Sequence, residues 1–271
     1  MRLTTLSSGS SGNATFIGTK NGGILVDCGL SGKKTIEALE SVKVDPKELD
    51  GIVVTHEHRD HIAGVGILSR KLDLPVYATE KTWEQLEDQV GQIVQENKRY
   101  IEPHSGEEIG QLKVEAFKTS HDAVDPIGLA VYSSSEKVGM ATDTGCITSG
   151  MNEHMNDCDL LLVEANHDLD LLQHGPYPES LKRRVRGGKG HLENSEIGAA
   201  LHKWLSGNTQ QVVLGHLSQE NNRPYLARKT VEDILEKSGV QVGLELQVTV
   251  APREEPHPLV ETISLEGLKA V

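Results

Sequence analysis

Cysteine is scarce and scattered in this chain of 271 residues: Cys28, Cys146 and Cys158 are its only three, and no two form a CxxC pair. That excludes a disulfide-stapled scaffold and a thiolate zinc knuckle, and it points to a reducing compartment. Long apolar runs are missing too. No stretch approaches the length of a membrane span, and the amino end has no charged-then-apolar signal pattern, so the expected setting is cytoplasmic with no membrane partner. Positive charge is in deficit, with 27 Lys and Arg against 40 Asp and Glu and a formal net charge of -13. A uniformly basic nucleic-acid surface is excluded, and any polyanion must be met by a local patch or through metal ions. Tandem repeats and long linkers are absent, and the length suits one α/β domain over residues 1–271 with a substantial core.

Histidine, by contrast, is concentrated. The apolar, β-branched run Gly51-Ile52-Val53-Val54 leads directly into Thr55-His56-Glu57-His58-Arg59-Asp60-His61. In an extended segment His56 and His58 point to one side and can hold one ion, while Asp60 and His61, at the turn into the next helix, can reach a second. Imidazole nitrogen with carboxylate oxygen suits zinc, manganese or iron, and leaves room for water. Two such ions about 3.5–4 Å apart activate a water and stabilise the attacking and leaving oxygens of a displacement.

The segment His56-x-His58-x-Asp60-His61 resembles the HxHxDH signature of the metallo-β-lactamase superfamily of metallohydrolases. With His at 58 and Glu at 57 it departs from the HxExDH form of the flavin-linked diiron branch. The resemblance implies further roles. Asp27, closing the strand-like Gly23–Val26, is similar to the acid that steadies the histidine loop. His121, after Leu112–Thr119, would be the third imidazole of the first ion. Asp143, in the Asp-Thr-Gly that ends Lys137–Ala141, resembles the carboxylate shared by both ions, and His216, after Gln211–Gly215, resembles the last ligand. The first ion would then take His56, His58, His121 and Asp143, and the second Asp60, His61, His216 and Asp143. Glu164 and His167 stand as supports behind the ligands or as substrate-facing groups, against plain structural roles. Because each candidate follows an apolar strand and those strands span both halves, an α/β, four-layer αββα sandwich is expected, with the site between its sheets.

Three features favour a phosphodiester. Five basic side chains, Lys182, Arg183, Arg184, Arg186 and Lys189, crowd eight positions of an acidic chain and lead into a glycine-rich turn. The loop Ser7–Asn13 is read either as a plain flexible turn or as a phosphate site that offers backbone N–H groups and the side chains of Ser8, Ser11 and Asn13 to an end phosphate. His191 is placed to protonate a leaving alkoxide, so that Asp60 and His191 carry the catalytic roles. Asn194 is read both as the cap of the following helix and as a substrate contact.

More closely, Ser-Ser-Gly-Ser-Ser-Gly-Asn, Val-Asp-Cys-Gly, Glu-Ala-Asn-His-Asp, Gly-His-Leu-x-Asn and Leu-Gly-His-Leu-Ser-x-Glu-Asn-Asn resemble the YycJ (WalJ, VicX) family over nearly the whole chain. That resemblance implies a 5′-to-3′ exonuclease acting on double-stranded DNA, whereas composition and spacing reach only a phosphodiesterase. Glu193 stands where Ser is expected, which would put an anion near the phosphate path, and no inserted β-CASP domain is present. A small-molecule hydrolase of cyclic phosphodiesters, thioesters or lactones uses the same two-ion centre and fits the acidic charge. A regulatory metal-binding protein is the third reading, and the intact ligand set counts against it. Metal identity and oligomeric state stay open. Among the local elements, helices are expected over Lys33–Ser41, from Ile62 to Leu72 and over Glu80–Lys98, and an alternating strand over Val240–Val250.

Overall fold

A computed structural model describes residues 1–263. Six strands, β1 (Arg2–Ser7), β2 (Ala14–Thr19), β3 (Gly22–Val26), β4 (Leu49–Val53), β5 (Val76–Ala78) and β6 (Lys98–Tyr100), lie side by side in chain order. β1 to β3 are antiparallel neighbours and β3 to β6 run parallel, so the helices Gly32–Ser41, Val65–Leu72 and Glu80–Val90 serve as crossovers. The second sheet repeats this plan. Its strands are β7 (Gly106–Ile109), β8 (Leu112–Lys118), β9 (Ile127–Ser133), β10 (Glu136–Ala141), β11 (Leu160–Glu164), β12 (Gln211–Gly215) and β13 (Gln247–Val250). They are antiparallel up to β10 and parallel beyond it, with Ser149–His154, Asn194–Trp204 and Pro224–Lys237 among the connecting helices. β14 (Val260–Glu261) returns to the edge of the first sheet beside β1.

The near-continuous apolar strands follow from burial of both sheet faces. On β11, Leu160 and Leu162 enter a core shared by the two sheets, with Val138, Met140 and Val213, and also Ile24, Val26 and Val53 of the first sheet. Leu161 and Val163 alternate to the other face, where Ile197, Leu201 and Trp204 of the helix Asn194–Trp204 cover them. In the first sheet Leu25 and Ile52 likewise turn outward onto Leu39, Leu68 and Leu86 of the crossover helices. Each large side chain buried in this way is worth about 1.5–3 kcal/mol relative to exposure. The result is the expected αββα sandwich.

Local departures have identifiable causes. The helix expected over Glu80–Lys98 ends at Val90, because Gly91 adopts φ +71° and the chain leaves the helix there. The helix after His61 is split into Arg59–Ile62 and Val65–Leu72, since the Gly64 N–H donates to the Cys28 carbonyl at 2.7 Å and not to the preceding turn. Of Val240–Val250 only Gln247–Val250 is a strand, at the sheet edge beside β12. The helix Gly32–Ser41 and the β1–β2 hairpin around the Ser/Gly loop match the sequence reading. No helix among the described residues is long and apolar enough to cross a membrane.

Candidate metal centre

Strand ends deliver the site. β3 stops at Asp27, β4 runs on into Thr55 and His56, β8 leads to His121, β10 to Asp143, β11 ends on Glu164 and β12 leads to His216. This is the carboxyl edge of the parallel strands, where open α/β sheets place their ligands. Asp27, Asp143 and His216 each hold left-handed backbone, at φ +59°, +55° and +54°. Non-glycine residues keep that conformation where their surroundings dictate it, as at functional sites.

All seven side chains expected as ligands converge. His56 Nε2 lies 3.1 Å from His58 Nδ1, and the His56 and His61 rings are 4.0 Å apart. Asp143 is central: Oδ2 is 3.4 Å from His61 Nε2, while Oδ1 is 3.4 Å from His216 Nδ1 and 3.8 Å from His121 Nε2. Asp60 Oδ2 is 3.7 Å from His61 Nε2. Donor atoms of His56, His58 and His121, of His56, His61 and Asp143, and of Asp60, His61 and His216 form overlapping groups, each with its atoms within 4.8 Å of one another. Asp143 Oδ2 and His216 Nε2 are buried without a hydrogen-bond partner among the described residues. An orphaned buried polar atom costs about 1–3 kcal/mol. Divalent cations would satisfy both atoms, and this nitrogen-and-oxygen donor set fits them.

Outer partners fix the rings. Asp27 Oδ2 accepts from His61 Nδ1 and from the Thr55 hydroxyl, both at 2.8 Å, and Oδ1 accepts the Thr55 N–H at 2.8 Å, which leaves His61 Nε2 aimed at the centre. His121 Nδ1 is 3.1 Å from the Gly190 carbonyl. Glu164, fully buried, contacts two imidazoles through Oε1, His191 Nδ1 at 2.7 Å and His216 Nδ1 at 2.9 Å, and accepts the Thr144 N–H through Oε2 at 2.9 Å. His167 is buried and its carbonyl takes the Asn194 N–H. Burial pushes its imidazole down to about 4 and keeps it neutral.

The cluster sets its own charges. Burial alone would raise the Asp143 carboxyl, but His216, His61 and His56 hold it well below the usual carboxylate range. Burial likewise opposes ionisation of Glu164, and His191 and His216 outweigh it to bring that carboxyl to about 2. Burial lowers His61 and His216, yet Asp27 and Asp143 for the former, and Asp143 and Glu164 for the latter, lift each to about 9. Metal binding needs neutral imidazoles, and below pH 9 these two are protonated in the metal-free protein. Zinc affinity measured by competition with a chelator should therefore climb as pH rises from 6.5 to 9 and level off above, with protons released on binding. An affinity flat across that window would contradict the assignment.

The expected substrate contacts fare unevenly. Ser8 is buried, and its hydroxyl accepts the His216 N–H at 2.8 Å, so the oxygen is engaged in holding the His216 backbone. Asn13 is also buried, with Oδ1 on the Gly9 N–H and Nδ2 at 3.2 Å from Asp60 Oδ2 and 3.0 Å from His61 Nε2. Ser11 lines a different cavity, with Lys34 and Glu254, whereas its neighbour Ser10 faces the site. Asn194 is not the cap and does not face substrate. Its buried amide is paired with Asn222 at 2.8 and 3.2 Å, and Glu193 is the cap, in a reciprocal capping box with Glu196. This accounts for Glu193 without placing it on a phosphate path. Arg183 and Arg184 diverge: Arg183 lines a groove with Lys182 and Arg186, while Arg184 walls a cavity of about 370 Å³ that also touches His191, His216 and Ser10. Lys189 is exposed on the turn.

Asp122 escaped the sequence reading. Its Oδ2 takes Arg184 Nε and Nη2 at 2.7 and 2.6 Å, and its Oδ1 lies 3.3 Å from His121 Nε2. Adjacency to His121 in Ser-His-Asp was the available signal.

Residues 23–217 match the Beta-lactamase superfamily domain. The chain is 38% identical over 248 residues to Exodeoxyribonuclease YycJ of Bacillus anthracis, covering 92% of this chain and 94% of that protein. It is also 38% identical over 258 residues to Exodeoxyribonuclease WalJ of Streptococcus pneumoniae serotype 2, covering 94% and 96%. Among solved structures, the metallo-β-lactamase fold protein YhfI from Bacillus subtilis superposes with a TM-score of 0.71 at 18% identity, over 94% of this chain and 98% of that one, a likeness of fold. The chain belongs to the metallo-β-lactamase superfamily of metal-dependent hydrolases, in the family of YycJ and WalJ.

Proposed function

We propose that this protein is a dinuclear-metal-dependent phosphodiesterase, a cytoplasmic 5′-to-3′ exonuclease acting on double-stranded DNA. The observation that carries the reading is the placement of His191 and Arg184 on one cavity beside the ligand cluster. Zinc, manganese or iron ions held by His56, His58, His121 and Asp143 and by Asp60, His61, His216 and Asp143 would supply an activated water and neutralise charge building on the phosphate. His191 Nδ1 is committed to Glu164, so Nε2 is the atom left to give a proton to the departing alkoxide. Burial works against the imidazolium, but Glu164 outweighs it and raises His191 above the ordinary histidine value, which keeps the proton available near neutrality. Arg184, held by Asp122, is a cation at the cavity mouth that can pass to a phosphate oxygen.

Digestion of duplexes labelled at either end, by protein of defined metal content, tests the reading. Loss of the 5′ label first, with activity falling steeply as salt rises, is the expected pattern. Turnover of small esters that ignores salt, with intact duplexes, would replace it with the small-molecule hydrolase. Arg184→Ala should weaken duplex binding and flatten the salt slope by about 1. An unchanged slope would mean that Arg184 meets no phosphate.

A further inference from the structure

The loop Gly175-Pro176-Tyr177-Pro178 joins the helix Leu169–His174 to the helix Glu179–Val185, and the metal centre does not use it. Its construction is rigid. Pro176 sets its own φ, and Pro178 drives Tyr177 toward extended backbone while its carbonyl accepts the Leu181 and Lys182 N–H groups. Gly175 is pressed so closely to its neighbours that a Cβ there would lie 2.5 Å from the Leu171 carbonyl and 2.7 Å from Asn221 Oδ1. What this loop presents is the half-buried Tyr177 ring, on the wall of the cavity that holds His191.

Most aromatic side chains of the protein are already committed. Trp83, Trp204, Phe16, Phe117 and Tyr77 are buried in the cores, and the Tyr132 hydroxyl is bonded to Glu115 at 3.0 Å. The Tyr177 hydroxyl makes no hydrogen bond among the described residues, and its ring shares the cavity wall with the aliphatic Leu181, Val185 and Leu217. At about 370 Å³ the cavity sits near the lower end of the range of ligand pockets, about 300–1,000 Å³, and its lining mixes these apolar side chains with polar ones, among them His191, Arg184 and Glu220. That volume suits one nucleoside.

We propose that this cavity is the binding site for a single terminal nucleotide, and that Tyr177 is the platform on which its base stacks. The proposal rests on the nuclease reading and adds a product class: mononucleotides, removed with little preference among bases, because every base offers a π-face. The prolines lower the entropy lost when the ring is engaged.

Calorimetric titration of the metal-loaded full chain with dAMP, dTMP and 2-deoxyribose 5-phosphate tests it. Tyr177→Ala should weaken both nucleotides about ten-fold or more, Tyr177→Phe should leave them unchanged, and the sugar phosphate should respond to neither substitution. Were the alanine variant to misfold, base-proton NMR of dAMP on the wild-type protein decides, because a stacked base moves upfield. Unshifted base protons, no dAMP binding to the wild type, undiminished nucleotide binding to Tyr177→Ala, or an equal loss for the sugar phosphate would each overturn the platform. Duplex digestion on the same preparations separates the two readings. Digestion with Tyr177-independent dAMP binding removes the platform alone, whereas Tyr177-dependent dAMP binding without digestion removes the nuclease alone.

Discussion

Asp143→Ala is expected to yield a protein that purifies depleted of divalent metal and hydrolyses DNA more slowly by well over the roughly 100-fold that loss of an outer partner costs. The reason is the position of the carboxylate. It is buried, with oxygens 3.4 Å from both His61 and His216 and 3.8 Å from His121, so it reaches residues expected on both ions. Its charge offsets repulsion between two neighbouring cations. It also helps to hold His61 and His216 at about 9, so its loss disturbs the imidazoles even before metal enters. Asp143→Asn separates shape from charge, retaining the volume and one carbonyl oxygen. Metal content by mass spectrometry and steady-state rates read both variants, and a full metal complement with a wild-type rate in Asp143→Ala would sink the assignment.

The second large effect belongs to His191→Ala, which should cut kcat by about 10²–10⁴-fold while metal content stays as in the wild type. Geometry leaves two roles for this residue. Its Nδ1 lies 4.0 Å from Asp143 Oδ1, and its donor atom groups with those of Asp143, Glu164 and His216 within 4.8 Å, close enough to be a ligand. The 2.7 Å contact with Glu164 instead makes it an oriented acid. Metal content distinguishes the two: an alanine variant that loses metal makes His191 a ligand. The pH profile gives a second readout. An acid must be protonated, so wild-type kcat should fall on the alkaline side as pH passes the raised His191 value, and the variant should lack that limb.

The first histidine cluster was legible from donor types and spacing alone, whereas His121, Asp143 and His216 were picked out by the superfamily resemblance. His56, His58, Asp60 and His61 sit within one short segment, and His121, Asp143 and His216 each close an apolar strand. The sandwich was legible for a related reason, since strands buried on both faces read as runs of Val, Ile and Leu. The substrate contacts were not. Ser8 and His216 are 208 positions apart, and nothing local to Ser8 announces that its hydroxyl is spent on a distant backbone N–H. Asn194 has the composition of a cap, yet the long-range pair with Asn222 takes its amide and leaves capping to Glu193. The Arg184–Asp122 pair, which joins the basic helix to the loop after β8, is equally invisible to spacing. Polar groups in loops reveal partners only once the chain has folded.

The most direct measurement is anomalous diffraction from crystals grown with manganese. Two peaks about 3.5–4 Å apart are expected. One should be bounded by His56, His58 and His121 and the other by Asp60, His61 and His216, with Asp143 between them. A lone peak elsewhere, or these side chains gathered around no metal under saturating ion, would contradict the paired centre.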